Sequence, residues 1–344
     1  MEYRELGRSG LQVSSIGLGG SPLGGGLFQQ RESVALELVR RAVDLGITFF
    51  DTSNNYGMGR SEEIIGEALQ GCRGRMVIAT KGGATFSRTA RLALALRPAL
   101  RPLRATLRPF RRSLNLARDA HKRYDYTAAG LRRALEASLV RLRTDYVDIY
   151  QLYNPTPEST GLDEAFETLE RFRQEGKARR VGLSVNKVSD AAPLLARWRP
   201  DSLQLPLSLL DQQGLDGTIA RIAGDGIAVI ARSVLAQGLL TGAQGHVMAD
   251  ESSHFTVHEL ARRRALRERC AALVLADRTL AQSAVRFAVQ QAGVSVSLVA
   301  AVTIEQLAED LAALTAPPLS ASDMLFAGRL AVADADSSGA ASPI

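Results

Sequence analysis

Residues 47–70 read ITFFDTSNNYGMGRSEEIIGEALQ. A short apolar run, Ile47 to Phe50, stops at Asp51 and gives way to Ser, Asn, Tyr and Gly, after which SEEIIGEAL carries apolar residues at helical spacing. That order predicts a buried strand, a polar loop and an amphipathic helix. Ser61 followed by Glu62 and Glu63 places acceptors at the positive end of that helix.

The same unit repeats along the chain. Further strand candidates lie at 14–20, 76–82, 147–153, 179–185, 202–208, 227–234 and 295–302, besides 47–53. They are near-continuous apolar runs, as parallel strands covered on both faces require. Helical patterns occupy 32–45, 61–70, 127–143, 163–176, 189–197, 212–224, 279–292 and 304–314, with an extra helix at 257–276. In 127–143, Leu131, Leu135, Leu139 and Leu142 form one stripe behind a Thr127 cap. Eight strand–helix pairs point to an α/β fold, a (β/α)8 TIM barrel, over 1–331 as one domain. YRELGRSGLQVSS reads as a preceding hairpin turning at Ser9-Gly10. The stretch 84–126 is a basic insertion after the third strand, and the small, polar tail 332–344 is expected to fray.

Composition narrows the function. With 344 residues, 46% of them hydrophobic, the chain can bury a large core, which excludes wholesale disorder. No apolar run is long enough to span a bilayer, and the opening MEYRELGRSG has no signal core, so a cytoplasmic protein with no membrane partner is expected. Only Cys72 and Cys270 are present, and the four histidines lack ligand spacing, so no disulfide framework and no metal is expected. The net charge of +6 is concentrated in residues 86–125, where ten arginines and Lys122 face Asp119 and Asp125. The remainder is slightly acidic, which removes the case for a nucleic-acid partner of the whole chain. Within the segment, Arg-Pro recurs at 97–98, 101–102 and 108–109. A solvated insertion, a flap attracting an anionic substrate, and a local membrane or nucleic-acid contact all fit it.

Barrel enzymes carry reactive groups at the carboxyl ends of their strands. Those ends hold Asp51 with Tyr56 in the next loop, Lys81, Tyr153-Asn154, Ser184 with Asn186, Gln204, and Arg232 with Ser233. A phenol has a pKa near 10, which a neighbouring ammonium lowers while a carboxylate holds that ammonium in place. Asp51, Tyr56 and Lys81 could therefore exchange a proton with a carbonyl or alcohol oxygen. The same residues also fit plainer roles, namely a buried ion pair between strands and a pocket-lining aromatic.

The segments YRELGRSGLQVSSIGLGG, FFDTSNNYGMGRSEEIIGEAL, TKGG, DYVDIYQLYNP, RRVGLSVN, QLPLSLLD and IARSVLAQGLLTG together resemble the aldo-keto reductase family, in particular its bacterial D-threo-aldose and sugar dehydrogenase-like branch. The resemblance implies that Asp51, Tyr56 and Lys81 are three of four catalytic residues, with Tyr56 the general acid. The fourth, a histidine in the family, is Tyr153 here, within Gln151-Leu152-Tyr153-Asn154-Pro155. It further implies that Ser184, Asn186 and Gln204 hold a nicotinamide carboxamide and that Ser233, Leu235, Gly238 and Leu240 run along a pyrophosphate. Arg232 stands where many members stack an aromatic on the nicotinamide.

At the adenosine end the family carries P-G-A-R-S and a later Asn. This chain reads Val299 to Thr303, then Gln306, Glu309 and Asp310, with Val302 at the arginine position and Asp310 at the asparagine position. The cofactor implied is NADP or NAD, with a weakened grip on a 2′-phosphate. The activity implied is NAD(P)(H)-dependent oxidoreduction of an aldehyde, ketone or sugar, a small molecule that the basic segment would favour as an anion. Two alternatives stay open, motivated by Tyr153 and the altered adenosine end: a non-redox acid–base enzyme (dehydratase, isomerase or cyclase) in a biosynthetic pathway, and a non-catalytic binding subunit. Neither the substrate nor the oligomeric state is written in the sequence.

Overall fold

The eight apolar runs form the eight strands of a closed parallel barrel, the (β/α)8 fold, in which each strand pairs with the barrel strands before and after it in the chain and the last closes on the first. The strands are β3 (Ile16–Gly19), β4 (Phe49–Asp51), β5 (Val77–Gly82), β8 (Val147–Tyr153), β9 (Ala178–Ser184), β10 (Ser202–Pro206), β11 (Ala228–Arg232) and β12 (Val294–Val299). The structure, a computed structural model, describes residues 1–24, 32–86, 122–242, 257–275 and 277–338.

The hairpin expected before the barrel is β1 (Tyr3–Glu5) paired antiparallel with β2 (Gln12–Ser14), Tyr3 opposite Ser14 and Glu5 opposite Gln12. Its apolar residues Leu6, Leu11 and Val13 pack with Phe49, Val77, Ala79, Ile149, Ala228, Ile230, Val296 and Leu298 as a cluster separate from the main core. These strand residues point into the barrel, so the hairpin plugs its amino end. Side chains alternate across a strand. The next inward positions beyond Phe49, Ala79, Ile149 and Ile230 are therefore Asp51, Lys81, Gln151 and Arg232.

The surrounding helices are α1 (Glu32–Asp44), α2 (Arg60–Ala68), α3 (Ala128–Leu142), α4 (Leu162–Gln174), α5 (Ala191–Arg197), α6 (Thr218–Gly224), α7 (Val257–Arg269), α8 (Leu280–Val289), α9 (Ile304–Ala312) and α10 (Ala321–Ser338). Leu131, Leu135, Leu139 and Leu142 form the buried stripe of α3. The Thr127 hydroxyl caps it by accepting from Gly130 N at 3.1 Å. Ser61 is not a cap. α2 follows Gly59, and the Ser61 hydroxyl instead donates to Gly20 O at 2.8 Å and accepts from Thr52 Oγ1 at 2.8 Å.

The basic insertion leaves the barrel through an antiparallel pair, β6 (Ala84–Phe86) and β7 (Lys122–Tyr124). Its interior, 87–121, lies outside the described residues, and with it the expected role of the charge cluster. α10 runs into the segment expected to fray from 332, and 339–344 lie outside the described residues. Among the described residues no helix is long and apolar enough to cross a membrane, and no group of three His, Cys, Asp or Glu could hold a metal.

Candidate active site

The inward positions at the carboxyl end of the barrel are polar and bonded to one another. Lys81, fully buried, donates from Nζ to Asp51 Oδ1 at 2.6 Å, to Asp51 Oδ2 at 2.7 Å and to Thr52 O at 2.9 Å. Asp51 also accepts from Gln204 Nε2 at 2.7 Å. Strands β4 and β10 are not neighbours, so this bond crosses the barrel interior. Gln204 Nε2 approaches Gln151 Oε1 at 3.4 Å, Gln204 Oε1 accepts from Ser184 Oγ at 3.2 Å, and Gln151 Nε2 reaches Ser202 Oγ at 3.3 Å. Burying the Lys81 ammonium without a carboxylate would be prohibitive, so this pairing is required by its depth.

Tyr56 stands above this network. It opens a tight turn, Tyr56–Gly59, in which Gly57, Met58 and Gly59 are all left-handed, at φ 61°, 60° and 91°. Left-handed backbone disfavours residues with a Cβ, and Met58 adopts it nonetheless, so the turn stores strain. A Cβ on Gly57 would also collide with the backbone of Gly24. The strained turn sets the Tyr56 ring over Lys81, whose Nζ lies 5.3 Å from the ring centroid.

The environment of the Tyr56 phenol acts in the opposite direction to the one expected from that lysine. Three acceptors already take the ammonium's donors, and burial, then the charge of Asp51, then Tyr153 push the Tyr56 phenol well above its ordinary value. The cation that opposes this is Arg232. Its Nη2 donates to Val185 O and Asn186 Oδ1, both at 3.0 Å, and its Nη1 to Ser233 Oγ at 3.1 Å. Arg232 thus bridges the ends of β9 and β11. Tyr153 ends β8 half-buried and close enough to raise the Tyr56 phenol, and its carbonyl accepts from Tyr126 Oη at 2.9 Å.

The structure brings Asp51, Tyr56, Lys81, Tyr153, Ser184, Asn186, Gln204, Arg232 and Ser233 to one end of the barrel. Ser233 (φ 59°) and Gly238 (φ 91°) lie in the irregular segment after β11, and Leu235 is partly exposed there. Leu240 is fully buried among apolar residues, so only its backbone could face a ligand.

At the other expected contact, Thr303 and Gln306 close the first turn of α9. Thr303 Oγ1 accepts from Gln306 N at 3.2 Å, and Gln306 Oε1 accepts from Val302 N at 2.9 Å. Asp310 sits on the buried stripe of α9 with Leu307, and its Oδ2 has no hydrogen-bond partner among the described residues. Burial, with Glu309 nearby, pushes its carboxyl up to about 8. A carboxyl so raised carries less negative charge at neutral pH than an ordinary aspartate.

Thr52 and Gln151 join the network without being among the expected site residues. Gln151 was within reach of strand parity, being two residues before Tyr153 on the inward face. Thr52 meets Lys81 through its carbonyl, which side-chain type does not signal.

Residues 15–325 match the aldo/keto reductase family. The uncharacterized oxidoreductase YqkF of Bacillus subtilis is 28% identical over 327 residues, covering 93% of each chain. The L-galactose dehydrogenase of Arabidopsis thaliana is 32% identical over 252 residues, 70% of this chain and 67% of its own. Among solved structures, the holo form of the aldo-keto reductase AKR11C1 of Bacillus halodurans superposes with a TM-score of 0.75 at 27% identity, covering 96% of each chain. The chain belongs to the aldo/keto reductase family, as an oxidoreductase with a nicotinamide dinucleotide as its redox partner.

Proposed function

We propose that this oxidoreductase reduces an aldehyde, ketone or sugar carbonyl with Tyr56 as the proton donor. The observation that carries the reading is the Tyr56 ring standing over a buried Asp51–Lys81–Gln204 network, with Lys81 Nζ 5.3 Å from the ring centroid. The raised phenol keeps its proton at neutral pH and can give it to a carbonyl oxygen as negative charge develops there. Lys81 neutralises Asp51 beneath it, and Arg232 moderates the rise from above. Tyr153, in place of a histidine, donates to the same oxygen from its hydroxyl.

The residues present fit a nicotinamide. The Asn186 side chain accepts from Arg232 through Oδ1, which leaves its Nδ2 donors for a carboxamide, and Ser184 and Gln204 add an adjacent hydroxyl and amide. When bound, the nicotinamide supplies the hydride. At the adenosine end Val302 offers no cation, which favours NADH over NADPH. Asp310 adds nothing to that preference while protonated. The sugar substrate of the relative from Arabidopsis thaliana supports a polyol or sugar carbonyl.

The test is to titrate the protein with NADH and NADPH by fluorescence and then to screen aldehydes and sugars for turnover. NADH is expected to bind more tightly, and Tyr56→Phe to bind it within about twofold while losing about 10³-fold in turnover. No binding of either dinucleotide at millimolar concentration removes the redox reading. Turnover without a nicotinamide, lost in Tyr56→Phe, would assign acid–base chemistry instead.

A further inference from the structure

Two buried side chains outside the polar row connect the Tyr56 turn to the strands beneath it. Ser61 and Glu62 occupy the first turn of α2, immediately after the strained Tyr56–Gly59 turn. Ser61 is bonded to Thr52, the residue after Asp51. Glu62, fully buried, accepts from Thr80 Oγ1 at 2.6 Å, and Thr80 is the residue before Lys81. One helical turn is thus tied to β4 next to Asp51 and to β5 next to Lys81. Thr80 shares the outward parity of Ile78, so this bond lies on the helix side of the barrel wall, behind the site.

The second oxygen of Glu62 accepts from Arg141 Nε on α3 at 2.7 Å, and Arg141 Nη2 reaches Ser138 Oγ at 3.3 Å. The same side chain packs against Gly59, the last residue of the Tyr56 turn, where an added Cβ would collide with Arg141 Nε and Cδ. The ion pair with Glu62 stops Arg141 from yielding, and Gly59, at φ 91°, has no alternative backbone conformation open to a larger residue. Arg141 therefore abuts the turn at one end, while its partner Glu62 holds the lysine-bearing strand at the other.

We propose that Arg141, Glu62 and Thr80 form a positioning chain that fixes the height and tilt of the Tyr56 ring over Lys81. None of the three touches the reacting atoms. A buried charge pair is a poor source of net stability, because desolvation offsets most of the attraction. What it supplies is directional bonding, two bonds from one carboxylate to two different elements. A strained turn needs such support, since left-handed residues persist only where their surroundings over-determine them. Displacing a proton donor by about 1 Å can lose about 10²-fold in rate, so a small slackening of the chain is enough to matter.

This inference rests on Tyr56 acting on the substrate, and its test is arranged to separate the two. Thr80→Val is isosteric, retains the buried methyl and removes only the bond to Glu62; Thr80→Ser restores the hydroxyl. Wild type, Thr80→Val, Thr80→Ser and Arg141→Met are compared for kcat, carbonyl KM, NADH affinity and melting temperature. Thr80→Val is expected to lower kcat about 10–100-fold, with KM and NADH affinity within about twofold, and Thr80→Ser to return kcat to within about threefold of wild type. Arg141→Met is expected to show the same kcat loss at unchanged NADH affinity. Equal kcat in Thr80→Val and wild type overturns the proposal, as does a parallel loss of kcat, NADH affinity and melting temperature that serine fails to rescue. If wild type itself shows no turnover, the reading of Tyr56 fails, and the chain is tested on the ring. The ¹³Cζ tyrosine resonance assigned to Tyr56 with Tyr56→Phe should shift in Thr80→Val while that of Tyr146, at the far end of the barrel, stays in place. An unmoved Tyr56 resonance overturns the chain independently of activity.

Discussion

The barrel interior has two layers built on the same strands in the same inward register. Toward the amino end, Phe49, Val77, Ala79, Ile149, Ala228, Ile230, Val296 and Leu298 are sealed by Leu6, Leu11 and Val13 of the hairpin. Toward the carboxyl end the next inward positions are Asp51, Lys81, Gln151 and Arg232, joined by Ser184, Gln204 and Tyr153. One layer is held by apolar burial, which is non-directional and tolerant of exchange. The other is held by hydrogen bonds and charge, which are directional and costly when broken. Labour is divided within one tube: the lower layer supplies stability, and the upper spends some of it to hold the Tyr56 ring over a fixed ion pair.

The division is breakable by substitution. Lys81→Met should have the largest effect, because it leaves the Asp51 carboxylate buried with only Gln204 as donor. A loss of about 3–5 kcal/mol of stability and loss of turnover are expected, by urea denaturation and by assay. Adding Asp51→Asn should recover most of the stability and none of the turnover. Recovery of both would mean that the ion pair is only structural.

In the lower layer, Leu6→Ala should remove about 2–4 kcal/mol while leaving kcat within about twofold, measured below the lowered melting temperature. A kcat loss in step with stability would merge the two layers into one.

The smallest effect on turnover is expected at Asp310, outside both layers. Its folded-state carboxyl is raised to about 8, so the folded chain holds a proton that the unfolded chain releases above the ordinary carboxylate range. Stability is therefore lost as pH rises from the unfolded value toward about 8 and is level above it. Asp310→Asn should match wild type at low pH and melt about 5 °C higher above about pH 8, by calorimetry. Parallel melting curves across that range would show that the carboxyl titrates normally.

Much of this was legible in the sequence, because strand parity and apolar runs are local signals. The eight strands, the hairpin at Ser9-Gly10, and the gathering of Asp51, Tyr56, Lys81, Ser184, Gln204 and Arg232 at one rim follow from where apolar runs stop. What escaped depends on partners distant in sequence. Arg141 meets Glu62 only once α3 packs on α2, and Ser61, expected to start the helix, lies inside it and bonds Gly20 and Thr52, because left-handed Gly59 precedes the helix. α10 was missed because its small, acidic residues resemble a frayed tail, although alanine is the strongest helix former. The direction of the Tyr56 shift was misjudged for a different reason. A lysine beside a phenol lowers its pKa only if its charge is not already neutralised, and the bidentate hold of Asp51 on Lys81 is visible only in three dimensions.

That shift is the most direct test of the account. The kcat/KM for carbonyl reduction, followed across pH by NADH absorbance, reports the free enzyme's essential acid. A phenol held well above its ordinary value predicts a level profile from about pH 6 to about pH 9, with a decline only beyond. A decline with a midpoint near neutrality, absent in Tyr56→Phe, would mean that Lys81 acidifies the phenol after all and would contradict the arrangement described for the upper layer.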